Sequence, residues 1–298
     1  MWIRALGDYS DTVDTDELPA LRQLVREALG APVRRIGRFI QLALIGAGRC
    51  MGEQALPAQT AVYLGSGRGD LDVTLEVVNP LFREGLPPKP LSFVNTVSNA
   101  TNFYIAKHFG LAGRSNFVCN RFFAFEAALE LAMQDIRLGY TDSVLVGSVD
   151  LVTASLHQHR ARLELPPEHP VAEGSHWLWL VGGAQPEDAV AEVQLVRQFD
   201  DLRALLGHLH ALNLSSERSW LLPGNFVDAA SIAEIQTTTG LTPVHLDARE
   251  PGYYDSRAGG AISAFLSQPD GDTLLHINRE TDGERFCLMQ VRRISRVS

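Results

Sequence analysis

The sequence is too poor in cysteine for a disulfide framework. Cys50, Cys119 and Cys287 are an odd three, and none stands at metal-ligand spacing from another. A reducing compartment, the cytoplasm, is the expectation that follows. No apolar run approaches the roughly 18 residues of a membrane span. The opening Met1-Trp2-Ile3-Arg4-Ala5-Leu6-Gly7 lacks the basic start and long apolar stretch of a signal peptide, and reads instead as a first strand. Blocks of like charge are missing too, and a formal net charge of −9 disfavours nucleic acid or an anionic membrane as partner. There is no repeat of solenoid period and no low-complexity linker. What remains is an ordinary globular composition, 45% hydrophobic and 20% charged, in 298 residues. That length suits two α/β halves of about 150 residues each.

Periodicity organises the first half. Leu18, Leu21, Leu24, Val25 and Ala28 fall at helical spacing, with Gly30 where a C-terminal cap belongs. Ile36, Phe39, Ile40, Ala43 and Ala47 mark one face of a second helix. Thr60–Leu64 reads as a short buried strand running into Gly65-Ser66-Gly67-Arg68-Gly69-Asp70, after which a helix begins. The glycine loop has neither the Lys-Ser/Thr of a P-loop nor the full dinucleotide fingerprint. A tight turn with close backbone packing is the expectation there.

Residues 116–150 are the most informative. Phe117-Val118-Cys119 is strand-like, a helix carrying Phe123, Ala127, Glu130 and Ile136 ends near Gly139, and residues 142–150 form a central strand. The turn between strand and helix places Phe122 at a helix N-terminus, where exposed N–H groups stabilise an anion such as a thiolate. Folds that use this device put Ser or Cys at that tip. Here the tip is phenylalanine.

At this point the chain resembles the β-ketoacyl synthases of the thiolase superfamily. Ser92–Ala100 looks like the family's segment before its dimer-interface helix, and Phe109-Gly110-Leu111-Ala112-Gly113 resembles its GL-G turn. Arg137–Asp142 through Gly147-Ser148-Val149-Asp150 aligns without a gap to its GxADxxLxGGxD run. Glu173-Gly174-Ser175 followed by His176–Leu180 is similar to its GEGAG strand. The likeness covers most of residues 30–181 and is faint beyond residue 190. It implies a layered α/β/α/β/α thiolase-like fold with two related halves, 1–181 and a shortened 182–298, and reduced cap loops between Asp150 and Glu173.

Carried over position by position, the resemblance puts the family's nucleophile at Phe122, its first histidine at Pro223 and its second at Tyr254, before Arg257-Ala258-Gly259-Gly260-Ala261. Phenylalanine cannot attack a thioester. Without the imidazoles, nothing at those positions stabilises the charge that develops in decarboxylative condensation. The resemblance therefore implies a noncatalytic subunit of chain-length-factor type. Such a subunit forms a heterodimer with a catalytic ketosynthase, whose acyl tunnel it shapes, and most resembles the small ketosynthase-like proteins of aryl-polyene and other polyene pathways. It implies Ser92, Phe93, Val94, Asn99 and Phe103 as tunnel or gating residues, Phe122, Phe123 and Phe125 as a plug of the former site, and Asn116, Phe117, Val118 and Cys119 as an interface strand. The acidic acyl carrier protein would dock mainly through the partner, since a chain of charge −9 tends to repel it.

Other readings of the same residues remain open. Phe122, Phe123 and Phe125 can be plain core, and Ser92–Val94 plain interface packing. Cys119 is the one candidate nucleophile near the turn, its alternative being a small buried hydrophobe. It would make the chain an autonomous acyltransferase, and a further alternative is a module that binds an acyl group without reacting. The pairs His157/His159 and His208/His210 suit a strand face for metal, but no carboxylate or Cys stands nearby at ligand spacing. Neither a metal nor a cofactor is expected.

Overall fold

A computed structural model describes residues 1–97, 99–212, 214–215, 217–244 and 252–294. The first strand, β1 (Trp2–Val13), leads to α1 (Arg22–Leu29), which stops at Gly30 because that residue turns left-handed, at φ 67°. Helix α2 (Arg38–Met51) starts two residues beyond Ile36. It is buried on nearly every side and not on one face, because α1 covers it from without while β1 and its neighbours take the inner side. Strand β2 (Ala61–Ser66) is buried throughout. It hands over to α3 (Leu71–Asn79), whose first turn is capped by the Asp70 carboxylate accepting from the Val73 amide. A π-helical turn at Pro80–Glu84 is followed by α4 (Pro90–Asn95) and α5 (Ala100–Phe109). Then come β3 (Ser115–Cys119), α6 (Ala124–Arg137), β4 (Ser143–Asp150), α7 (Leu156–Leu163) and β5 (Val171–Val181). The remainder is β6 (Ala191–Phe199), α8 (Leu202–His210), β7 (Ser219–Pro223), α9 (Ala229–Thr239), α10 (Ala258–Ser267), β8 (Thr273–Arg279) and β9 (Phe286–Arg293).

The strands line up as β3-β2-β4-β5-β1-β6-β9-β8-β7. Strands β3, β2 and β4 are mutually parallel, and β5 is antiparallel to both β4 and β1. The order then repeats. In β6-β9-β8-β7, β9 is antiparallel to both neighbours and β7 parallel to β8, as in β1-β5-β4-β2. Beside β7, at the place β3 holds in the first series, the described residues form a parallel bridge between Leu221 and Pro243. The two series join through two residue pairs alone, Trp2 with Glu192 and Ile3 with Ala191.

Side-chain alternation along the strands builds the layers. Ala61 and Tyr63 of β2 face inward on α6, while Val62 and Leu64 face α2 and α5. In the second series Leu222 and Leu274 face α10, and Leu221 and Leu275 face α8 and α9. Helices α6 and α10 therefore lie between the two series, with Phe125, Leu129, Met133, Ile262 and Phe265 filling the centre. The result is an α/β/α/β/α stack, the layered fold the resemblance implied. No helix among the described residues is long and apolar enough to cross a membrane.

Two expectations are corrected here. Both histidine pairs sit on helices, α7 and α8, where residues two apart diverge by more than half a turn, so neither pair can close on one metal ion. Cys119 is the exposed end of a sheet-edge strand and not a buried hydrophobe, because β3 is the terminal strand.

Candidate functional site

The parallel strands β2 and β4 end beside the N-terminus of α6, the side of an α/β sheet on which sites collect. The turn into α6 starts at Asn120, whose side-chain Oδ1 accepts from the amides of both Phe122 and Phe123, each at 3.2 Å. In the same first turn, burial pushes the Glu126 carboxyl up to about 7, and that carboxyl also accepts from its own amide. The amides of Phe122, Phe123 and Glu126 at this helix start are thus occupied by the chain's own side chains.

Phe122 is half-buried against the central core. The Arg121 guanidinium lies over its ring at 5.0 Å and pairs with Glu164 at 2.9 Å and Asp282 at 3.4 Å, covering the position from two loops. Phe123 and Phe125 are wholly buried among β2, β4, α6 and α10. Of the three expected plug residues, these two fill the centre of the molecule and Phe122 alone marks the tip.

Asn278, at the end of β8, joins two of the three triad positions. Its Nδ2 donates to the Phe122 carbonyl at 3.0 Å and to Glu126 Oε1 at 3.1 Å. Its Oδ1 lies so near Gly224, the residue after Pro223, that a Cβ there would meet it at 2.5 Å. Pro223 itself ends β7 and has no side-chain polar atom. Tyr254 turns the other way: its hydroxyl and His176 Nε2 lie 2.5 Å apart, with the rings stacked 9° from parallel.

His176 is what sequence reasoning missed. It stands on β5 and reaches the Tyr254 position only because the sheet places β5 beside the segment before α10, where Gly259 and Gly260 leave room for its ring. Burial holds its pKa down to about 3, so it is a neutral and very weak base at ordinary pH. The one sequence signal was a histidine inside the stretch resembling the GEGAG strand.

The glycine loop after β2 packs closely, as expected. A Cβ on Gly67 would meet Asp255 at 2.2 Å, and the Gly67 amide donates to Asp150 Oδ1 at 3.0 Å, so the loop binds a carboxylate of the chain itself. Asp150 also accepts from Ser66 Oγ and the Ser256 amide, each at 2.8 Å, tying the end of β4 to the segment before α10. Cys119 donates to the Gly67 carbonyl at 3.6 Å. Partial burial, with Asp150 and Asp255 nearby, raises its pKa, the opposite of an activated nucleophile. The cavity beside Asp150, Tyr254 and Asp255 measures about 20 Å³, too small for an acyl chain.

A second feature lies on the outer surface. Val78, Leu81, Phe82, Leu86, Leu91, Phe93, Val94 and Val97, on α3, the π-helical turn, α4 and the loops between, are all exposed, Phe82 by 80%. Phe103 on α5 is 60% exposed, and Asn99 is exposed just ahead of that helix. Ser92 Oγ donates to Glu76 at 3.3 Å. Of the five expected tunnel residues, Phe93, Val94, Asn99 and Phe103 thus face outward, and Ser92 is half-buried beside them. Adjoining α5 is β3, which pairs with β2 on one side only. Within it Phe117 packs on the outer core and Val118 on the central one, and the Asn116 carbonyl accepts from Asn102 at 2.8 Å.

No protein-family profile matches the chain, and no curated protein matches it in sequence. Solved structures do. The chain is similar to the ishigamide ketosynthase/chain length factor at 20% identity and a TM-score of 0.69, over 91% of this chain and 85% of that one. It is similar to AntDE:AntF, a type II polyketide synthase acyl-carrier protein in complex with its ketosynthase bound to the hexaketide, at 13% identity and a TM-score of 0.69, over 98% and 99%. A third is the 3-oxoacyl-(acyl carrier protein) synthase III of Pseudomonas aeruginosa PAO1, at 16% identity and a TM-score of 0.56, over 100% and 99%. At identities of this size the fold is what is shared, and the chain has the thiolase-like fold of the ketosynthases and chain length factors.

Proposed function

We propose that this chain is a noncatalytic subunit of chain-length-factor type, which pairs with an active ketosynthase and shapes its acyl tunnel during type II polyketide elongation. The observation that carries this reading is the turn into α6. It has Phe122 where a nucleophile would stand and Asn120 on the amides that would activate one. A subunit with no chemistry of its own acts through a neighbour, and the apolar surface of residues 78–103 beside the open edge of β3 suits one. The similar structures support the same assignment, one being a ketosynthase/chain length factor and another a ketosynthase with its acyl carrier protein.

In this reading β3 pairs with the same strand of the ketosynthase, and Ser92, Phe93, Val94, Asn99 and Phe103 reach the end of its tunnel. The carrier protein docks chiefly on the ketosynthase. The products belong to the polyene class, the complex works in the cytoplasm, and residues 1–181 and 182–298 are the two related halves. An acyltransferase built on Cys119 is disfavoured by its raised pKa, and an acyl-binding module by the smallness of the cavity. Co-expression with a candidate ketosynthase, followed by sizing of the purified material, tests the pairing. One copy of each chain in a single complex is expected. Two species that elute separately overturn the proposal.

A further inference from the structure

The cavity of about 20 Å³ near the ends of β2 and β4 is lined by Arg68, Asp150, Thr153, His159 and Asp255 among apolar residues. His159, on α7, is 5% exposed. Its Nδ1 lies 3.3 Å from the Thr153 amide nitrogen and 3.2 Å from Thr153 Oγ1. A backbone N–H can only donate, so Nδ1 accepts and the ring proton sits on Nε2. That Nε2–H is a buried donor with no acceptor among the described residues. Arg68 adds a second: its Nε is spent on Asp255 at 2.9 Å, while its buried Nη2 has no acceptor among the described residues. Two donors without acceptors on the wall of one cavity call for an acceptor inside it.

Charge decides which kind. The charged groups that act most on His159 are Arg162, Arg68 and Arg160, all of one sign, Arg68 being paired with Asp255. The carboxylates in the wall have spent their oxygens elsewhere, Asp150 on Ser66, Gly67 and Ser256, Asp255 on Tyr253 and Arg68. Burial first, and then Asp255 nearby, pushes Asp150 up to about 7, so this pair carries less than two full negative charges near neutrality. Size excludes a phosphate or an acyl group and admits one particle of water or halide dimensions.

We propose that Arg68 and His159 bind a single small monovalent anion of the halide class in this cavity. The anion fastens α7, and with it the segment between β4 and β5, to the turn that follows β2. It is distinct from any acyl chemistry and holds whether or not the chain pairs with a ketosynthase.

Bromide is the probe. In crystals of the full chain soaked in sodium bromide, one anomalous peak is expected within contact of His159 Nε2 and Arg68 Nη2. In solution, the melting temperature is expected to rise with chloride and saturate, measured against sodium gluconate at equal ionic strength. His159→Phe is expected to lose both effects. If that variant does not fold, the wild-type crystal decides alone. Density at the cavity without anomalous signal means a water, and it overturns the proposal. So does a melting temperature that follows ionic strength whatever the anion.

Discussion

In the proposed reading, Asn120 silences a turn of catalytic type without unfolding it. A strand–turn–helix that aims amides at a reacting atom needs those amides free, and here one side-chain oxygen takes two of them. Replacing Phe122 by cysteine therefore restores the nucleophile's atom and not its surroundings. Phe122→Cys is expected to show no elongation of an acyl-carrier-protein thioester, read by mass spectrometry of the carrier. Extension by this variant alone would show that Pro223 and Tyr254 are no obstacle. Glu126 makes a different prediction. Its folded pKa of about 7 lies above the ordinary 4.5, so the native state holds a proton the unfolded chain releases. That contribution is fully present below about 4.5 and is lost as pH rises towards about 7, on the order of 3 kcal/mol in all. Glu126→Gln keeps the acceptor for Asn278 and removes the proton. Its melting temperature is expected to fall less steeply with pH across that window than the wild type's, and an equal or steeper fall would contradict the assignment. The Phe122 turn was legible in the sequence because a gapless run of familiar spacing follows it. His176 was not, since only the sheet register brings β5 against the segment before α10.

Among the elements, β2, β4 and α6 were readable from sequence, because buried parallel strands are continuous apolar runs and α6 repeats its apolar face with helical period. The histidine pairs lie on helices where a spacing of two suggested a strand face. Helix α7 carries few apolar residues among its polar ones, whereas α8 has Leu202, Leu205, Leu206 and Leu209 at helical spacing. Helix α2 was placed but its burial underestimated, since its second covering layer comes from α1. In the proposed pairing, the exposed residues of α3, the π-helical turn and the loop after α4 are where the partner docks. A single charge on an apolar contact face costs binding and not folding, because the residue is solvated in the free chain. Phe82→Glu and Val97→Glu are expected to abolish co-purification with the ketosynthase while leaving the melting temperature of the isolated chain within a degree or so of wild type. A complex that survives both substitutions would move the interface elsewhere.

At the scale of the whole molecule, two strand series of matching order enclose α6 and α10, with β3 at one end of the described sheet and β7 at the other. In the proposed complex it is β3 that pairs with the partner. The tunnel residues on this face belong, in that proposed complex, to a channel that the partner completes. The most direct test is the length of the chains carried by the acyl carrier protein, measured by mass spectrometry for the ketosynthase with wild-type chain, with Ser92→Trp or Phe93→Ala, and for this chain alone. The account predicts no extension by the chain alone, and a changed length distribution for the variants in complexes that still assemble. Extension by the chain alone, or an unchanged distribution in both variant complexes, would contradict it.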